Sequence, residues 1–323
     1  MTMPPPAEWA PHHAVWIGFP SHPELWQEDL DPAREEVAAF ARAVHADGRG
    51  ERVLLVCADD EAADAARALA PFAGIVVEAF GDIWLRDTGP ILTGDGTARL
   101  FGFNGWGGKY DLPGDDTVGE RLAEDRGIDT IRCRWVLEGG AIDGDGTGLA
   151  VTTEQCLLNP NRNATLTREQ VEKRLASDLG LDRVVWLGDG LLNDHTDGHV
   201  DNLARFVAPG RVALPEGAEN DPNWRIYQDA GNRLRGAGVE VVTVPSPGRV
   251  LRDGEIIPAS YMNFYLGNAA VVVPVYGAPN DAAAVAAIGA IFPDREVVGL
   301  RADHILTGGG SFHCISQQIP ARP

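Results

Sequence analysis

At 323 residues with 44% hydrophobic side chains, the chain is globular and long enough to bury a large core. A formal net charge of −20 excludes nucleic acid and anionic lipid as partners, because the whole surface repels them. Residues 1–6 (MTMPPP) lack the basic and apolar regions of a signal peptide, and no apolar run reaches membrane-spanning length, so a soluble, cytoplasmic chain is expected.

In chain order, helix signals fall at 31–46, 60–70, 115–126, 167–179, 222–236 and 281–292, several opening on Asp, Thr or Pro as helix caps do. Short β-branched runs at 52–57, 74–79, 129–134, 183–187, 239–244 and 296–300 read as strands. No linker or low-complexity block divides them, so residues 1–323 are expected to form a single catalytic domain. Five helix-plus-strand pairs begin near 60, 115, 167, 222 and 281, a spacing of roughly fifty to sixty residues that signals a structural repeat.

A loop and a second, unusual segment follow the strand of each pair. These are DIWLRDTGP at 82–90, WVLEGGAID at 135–143, NDHTDGHVDNLARF at 193–206, ASYMNF at 259–264 and GGGSFHC at 308–314. Four of the five carry a group that can do chemistry: Asp87, Glu138, His199 with Asp201, and Cys314. If the repeats close into a ring, those groups converge on its axis. Each also stands beside glycine or tryptophan, which suits a pocket that a ligand approaches closely.

His199 and Asp201 alternate in a strand-like run, which would put both on one face. With Asp194, His195 and Asp197 nearby they include ligand types that suit zinc or manganese, but no HExxH or CxxC spacing is present and no metal is expected. Of the four cysteines, Cys57, Cys133 and Cys156 lie in strand-like runs (VLLVC, IRCRW, EQCLL) and read as packing residues of a reducing compartment. Cys314 instead follows three glycines and precedes what reads as a short closing strand. Glycines around Trp106 suggest a mobile loop.

The Asp of WLRDTGP, the Glu of EGG, the His-x-Asp of TDGHVDN and the Cys of GGGSFHCISQQ, in that order, resemble the agmatine deiminase and peptidyl-arginine-deiminase-like family of the guanidine-modifying superfamily. Pro5, Pro6, Ala7, Glu8 and Trp9 are similar to the family's opening, and 259–264 to its late strand, so the likeness runs nearly end to end. It implies a five-module pseudo-symmetric α/β propeller, the pentein fold, with the active site in the central channel.

The resemblance also implies roles. A guanidinium is a poor, planar cationic electrophile; Asp87 and Asp201 would grip it with paired charge-assisted hydrogen bonds. Cys314 would add to its carbon, His199 would act as general acid and then base, and Glu138 would orient His199. Trp84 is the expected wall against the substrate's methylene chain, with Trp106 second. The implied reaction is cofactor-free hydrolysis of a small cationic guanidine, agmatine foremost. Arginine or peptidyl-arginine, or an amidine transfer on the same scaffold, are the alternatives. A homodimer is the default expectation for such an enzyme. GGGSFHC replaces the family's commoner GGGNIHC, and Asn202-Leu203-Ala204-Arg205 follows the His-x-Asp; the Ser311-Phe312 pair is expected to belong to the pocket for the substrate's tail.

Overall fold

The computed structural model describes residues 2–321. Its strands form five sheets of one pattern and a short separate hairpin at 251–256. In the first sheet, Ser316–Pro320 runs antiparallel to His12–Gly18, which pairs in parallel with Arg52–Cys57, itself parallel to Gly74–Val77. In each of the other four, a short first strand lies antiparallel to a middle strand, and the middle strand is parallel to the last. These are Ile91–Leu92, Ala98–Gly102 and Thr130–Val136; then Ile142–Gly144, Leu149–Thr153 and Arg183–Leu187. Arg205–Ala208, Arg211–Glu216 and Glu240–Pro245 follow, and last Tyr265–Leu266, Ala270–Val275 and Glu296–Arg301.

Parallel neighbours need a crossover, and a helix supplies it in every unit. Leu30–His45 and Asp60–Leu69 serve the first sheet; Val118–Asp125, Arg168–Leu179, Trp224–Gly236 and Asp281–Ile291 serve the others. Local chemistry sets their starts. Asp59 accepts from the Ala62 amide, and Thr167 with Gln170 forms a reciprocal capping box. Middle strands such as Ala270–Val275 and Leu149–Thr153 are buried almost throughout, as parallel pairing under a helix requires. The C-terminal strand pairs with the first, so the two ends of the chain share a sheet.

The expected helices match within a few residues, and the strand at 183–187 matches at both ends. Three readings are corrected. Residues 259–264, likened to a late strand, hold the single turn Tyr261–Asn263, and the strand begins at Tyr265. The run from His199 is not a strand: Asp197 and Gly198 take positive φ (62° and 85°), His199 caps the single turn Val200–Asn202, and the strand starts only at Arg205. EQCLL is likewise the turn Glu154–Leu157, capped by Thr153, rather than a strand. Among the described residues, no helix is long and apolar enough to cross a membrane.

Candidate active site

One element recurs between successive sheets, a single helical turn. The turns are Leu85–Thr88, Gly139–Ala141, Val200–Asn202, Tyr261–Asn263 and Ile305–Gly308. Asp87 lies in the first, Glu138 caps the second, and His199 and Asp201 cap and occupy the third. Asn263 ends the fourth, and Cys314 follows the fifth. All six are buried, and neighbouring turns bring them together.

Cys314 is the centre of the cluster. Its thiol donates to Asp201 Oδ2 at 3.4 Å and its sulfur accepts from Asn263 Nδ2 at 3.0 Å. Asn263 Oδ1 in turn accepts the backbone N–H groups of His313 and Cys314 at 3.1 and 3.2 Å, which fixes the backbone that carries the sulfur. Asp87 Oδ1 lies 3.5 Å from His199 Nδ1 and accepts the Gly140 amide at 2.9 Å. A Cβ on Gly140 would sit 2.7 Å from His199 Nδ1 and 2.8 Å from Asp87 Oδ1, so only glycine permits this approach.

Glu138, Cys156 and His199 offer ligand-type atoms within 4.8 Å of one another. Glu138 faces His199 as expected, but its closest partner is Arg162, whose Nε donates to Glu138 Oε1 at 2.6 Å with both side chains fully buried. Arg162 also donates to Asp197 Oδ2 at 2.6 Å. Cys156 is therefore more than packing: its thiol stands beside the imidazole. Among the described residues this is the one group of three or more with metal-like spacing, and neither Asp194 nor His195 belongs to it.

Burial shapes the charges. It pushes the Cys314 thiol well above the ordinary cysteine range, and the nearby Asp201 and Asp87 carboxylates push the same way. Asp87 is raised as well, since burial outweighs the attraction of His199. For His199 burial opposes the charge, yet Asp87, Cys156 and Glu138 prevail and hold the imidazole well above the usual histidine range. Asp201 goes the other way: despite burial, the bond to His313 keeps it low.

A pocket of about 190 Å³ reaches Cys314 and Asp87. Trp84, Trp106 and Trp26 wall it together with Asp82, and no arginine or lysine lines it among the described residues. The indole of Trp106 donates to Asp87 Oδ2 at 2.8 Å and the residue is 6% exposed, so it is a packed wall and not a loose loop. Trp84 and Trp26 both donate to Asp82, at 2.6 and 3.0 Å. A Cβ on Gly308 would lie 2.3 Å from Trp84 Cζ2, which explains one glycine of the triplet. Phe312 corrects the expected tail pocket: it is fully buried and stacks on Phe40 at 4.7 Å, and neither it nor Ser311 lines the pocket at Cys314.

The site holds residues that the sequence reading passed over. Asn263 occupies the equivalent place in the fourth turn; that position was the available signal, but an amide has no titratable chemistry to attract notice. Arg162 and Glu8 are brought in by the fold from distant stretches; His313 adjoins Cys314 in GGGSFHC, and that adjacency was its available signal.

Repeated α/β units whose connecting turns gather a thiol, an imidazole and several carboxylates define an α/β protein built around a buried central cysteine. The chain belongs to the Porphyromonas-type peptidyl-arginine deiminase family, whose model matches residues 4–320. It is 40% identical to an agmatine deiminase of Stutzerimonas stutzeri over 98% of this chain and 95% of the relative. The structure of agmatine deiminase of Enterococcus faecalis superposes with a TM-score of 0.92 at 32% identity, covering 100% of this chain and 97% of the other. That of C. jejuni agmatine deiminase with substrate bound gives 0.93 at 27% identity, over 100% and 97%.

Proposed function

We propose that the chain is an agmatine deiminase, hydrolysing agmatine to N-carbamoylputrescine and ammonia. The observation that carries the choice of substrate is the lining of the pocket at Cys314. It has two carboxylates, Asp82 and Asp87, aromatic walls and no arginine or lysine among the described residues, which suits a guanidine with a cationic tail and gives a substrate carboxylate no partner. The full-length relatives named agmatine deiminase support the same reading.

Asp87 and Asp201 hold the guanidinium, and its charge favours the thiolate, so that Cys314 gives its proton up to solvent. The thiolate forms the S–C bond; His199 gives its proton to the departing nitrogen as the C–N bond breaks and ammonia leaves. Water then attacks the amidino carbon, His199 takes its proton, and the C–S bond breaks to return the thiol and release the ureido product. Glu138, held by Arg162, supports the positive charge on His199. Trp84 and Trp106 flank the methylene chain.

The five like sheets, and the pairing of the last strand with the first, support a five-module pseudo-symmetric propeller. The channel on its axis would be the active site, and residues 1–323 would act as one catalytic domain. The deciding experiment is a panel of agmatine, arginine, methylated arginine and peptidyl-arginine, assayed for ammonia and ureido product. Turnover of agmatine well above the others is expected; preference for a carboxylate-bearing guanidine overturns the assignment.

A further inference from the structure

Asp201 is supported from behind. His313 Nδ1 lies 2.8 Å from Asp201 Oδ2, and His313 Nε2 lies 3.1 Å from Glu8 Oε2. Glu8 is anchored in turn by Arg205, which also meets Asp143 Oδ2 at 3.3 Å and donates to the carbonyls of Met262 and Phe264 at 3.1 and 2.8 Å. Glu8, His313 and Asp201 are all buried. Glu8 and His313 line a second cavity that shares no lining residue with the pocket at Cys314. His313 thus contacts Asp201 from a cavity other than the one that opens on Cys314.

We propose that His313 is a positioning residue for the deimination: held between Glu8 and Asp201, it fixes the Asp201 carboxylate against Cys314 and keeps it ionised to receive the guanidinium. The proposal rests on reading the site as a guanidine deiminase. Oδ2 of Asp201 is taken by His313, Cys314 and Asn263, the latter two at 3.4 Å, whereas the buried Oδ1 has no hydrogen-bond partner among the described residues. A carboxylate so fixed presents one oxygen to a donor arriving from the substrate. An imidazole flanked by carboxylates on both sides is satisfied when it carries two N–H bonds.

Comparison of the two gripping carboxylates agrees. Asp87 has an imidazole only at 3.5 Å, that of His199, and burial leaves its carboxyl raised, while Asp201, buried too but with His313 at 2.8 Å and His199 and Arg205 facing it and Asp87 and Cys314 beside it, is kept low.

The test is ¹³C titration of the Asp201 carboxyl in the resting enzyme, assigned with Asp201→Asn, in the wild type and in His313→Gln. Loss of this partner at 2.8 Å should raise the titration by about one pH unit. The acid limb of kcat/KM for agmatine should move up with it, through KM more than kcat. A loss of kcat/KM equal at all pH, with the Asp201 titration unmoved, would reduce His313 to a structural role and overturn the proposal. Should His313→Gln not fold, Glu8→Gln, which frees the imidazole from its far anchor, is read in the same way: a raised Asp201 titration is expected, and an unmoved one sinks the idea. A wild type that turns over no guanidine would defeat the proposed function, while the Asp201 titrations would still judge the contact between His313 and Asp201.

Discussion

Cys314 Sγ lies 3.4 Å from Asp201 Oδ2, so the nucleophile rests against one of the carboxylates proposed to grip its substrate. In the resting site that contact disfavours a thiolate, because burial and the neighbouring Asp201 and Asp87 all oppose a further negative charge there. A guanidinium bound between the same carboxylates reverses the sign of the local field. The nucleophile is then armed by the substrate it attacks.

Alkylation of Cys314 by iodoacetamide in the absence of substrate reports this directly. Since the thiol is held above its ordinary range, the inactivation rate should keep rising with pH beyond about 8.5. A plateau reached below about pH 7.5 would mean a resting thiolate and would contradict substrate-driven ionisation.

Trp106→Phe removes the indole N–H from Asp87 Oδ2 and changes little else in the wall. A hydrogen bond to a charged group is worth about 1.5–3 kcal/mol, so kcat/KM for agmatine should fall by about ten- to a hundredfold with the fold intact. An unchanged kcat/KM would remove Asp87 from the substrate grip.

Arg162→Met leaves the Glu138 carboxylate buried without its counterion. Breaking one side of a buried pair costs about 3–5 kcal/mol, which denaturant unfolding should register as a lower midpoint. Pairing it with Glu138→Gln should recover part of the loss; if the two changes add, the ion pair contributes nothing as a pair.

Much of this architecture was legible from the sequence, and the reasons differ by element. Amphipathic helices such as Arg168–Leu179 declare themselves by cap and period. Middle strands such as Ala270–Val275, uniformly apolar because both faces are covered, lack the alternation that marks a strand. Asp87, Glu138, His199, Asp201 and Cys314 were found because equivalent places in a repeat carried reactive groups. Arg162 and Glu8 were not, because a counterion is chosen by proximity in space, and chain position says nothing of it. The strand assigned at His199 failed for a local reason: two successive positive-φ residues turn the chain there, and one of them is an aspartate, which does not advertise the turn as glycine does.

Asp82 and Asp115 give a pH prediction in the pocket wall. Asp115 Oδ1 accepts the Gly81 and Asp82 amides at 2.7 and 3.2 Å, while its buried Oδ2 has no partner among the described residues. Burial pushes Asp115 up to about 7, with the charge of Asp82 adding to it, and Asp82 up to about 6 by burial. An unfolded aspartate titrates near pH ~3.9, so between that value and about 7 the folded chain binds more protons than the unfolded one. Stability from this pair is therefore highest at low pH and is lost as pH rises through the window. Asp115→Asn keeps the acceptor for both amides and removes the ionisation. The wild type minus Asp115→Asn difference in unfolding free energy should fall by on the order of 3 kcal/mol from pH 4 to pH 8. Groups shifted the other way, such as Glu8 and Asp201, cancel in that difference. A difference independent of pH would show that the Asp115 carboxyl is not raised. Because the Asp82 carboxylate holds the indoles of Trp26 and Trp84, and Asp115 holds the amide of Asp82, the same variant should leave the Trp84 wall in place and KM for agmatine near the wild-type value at pH 7.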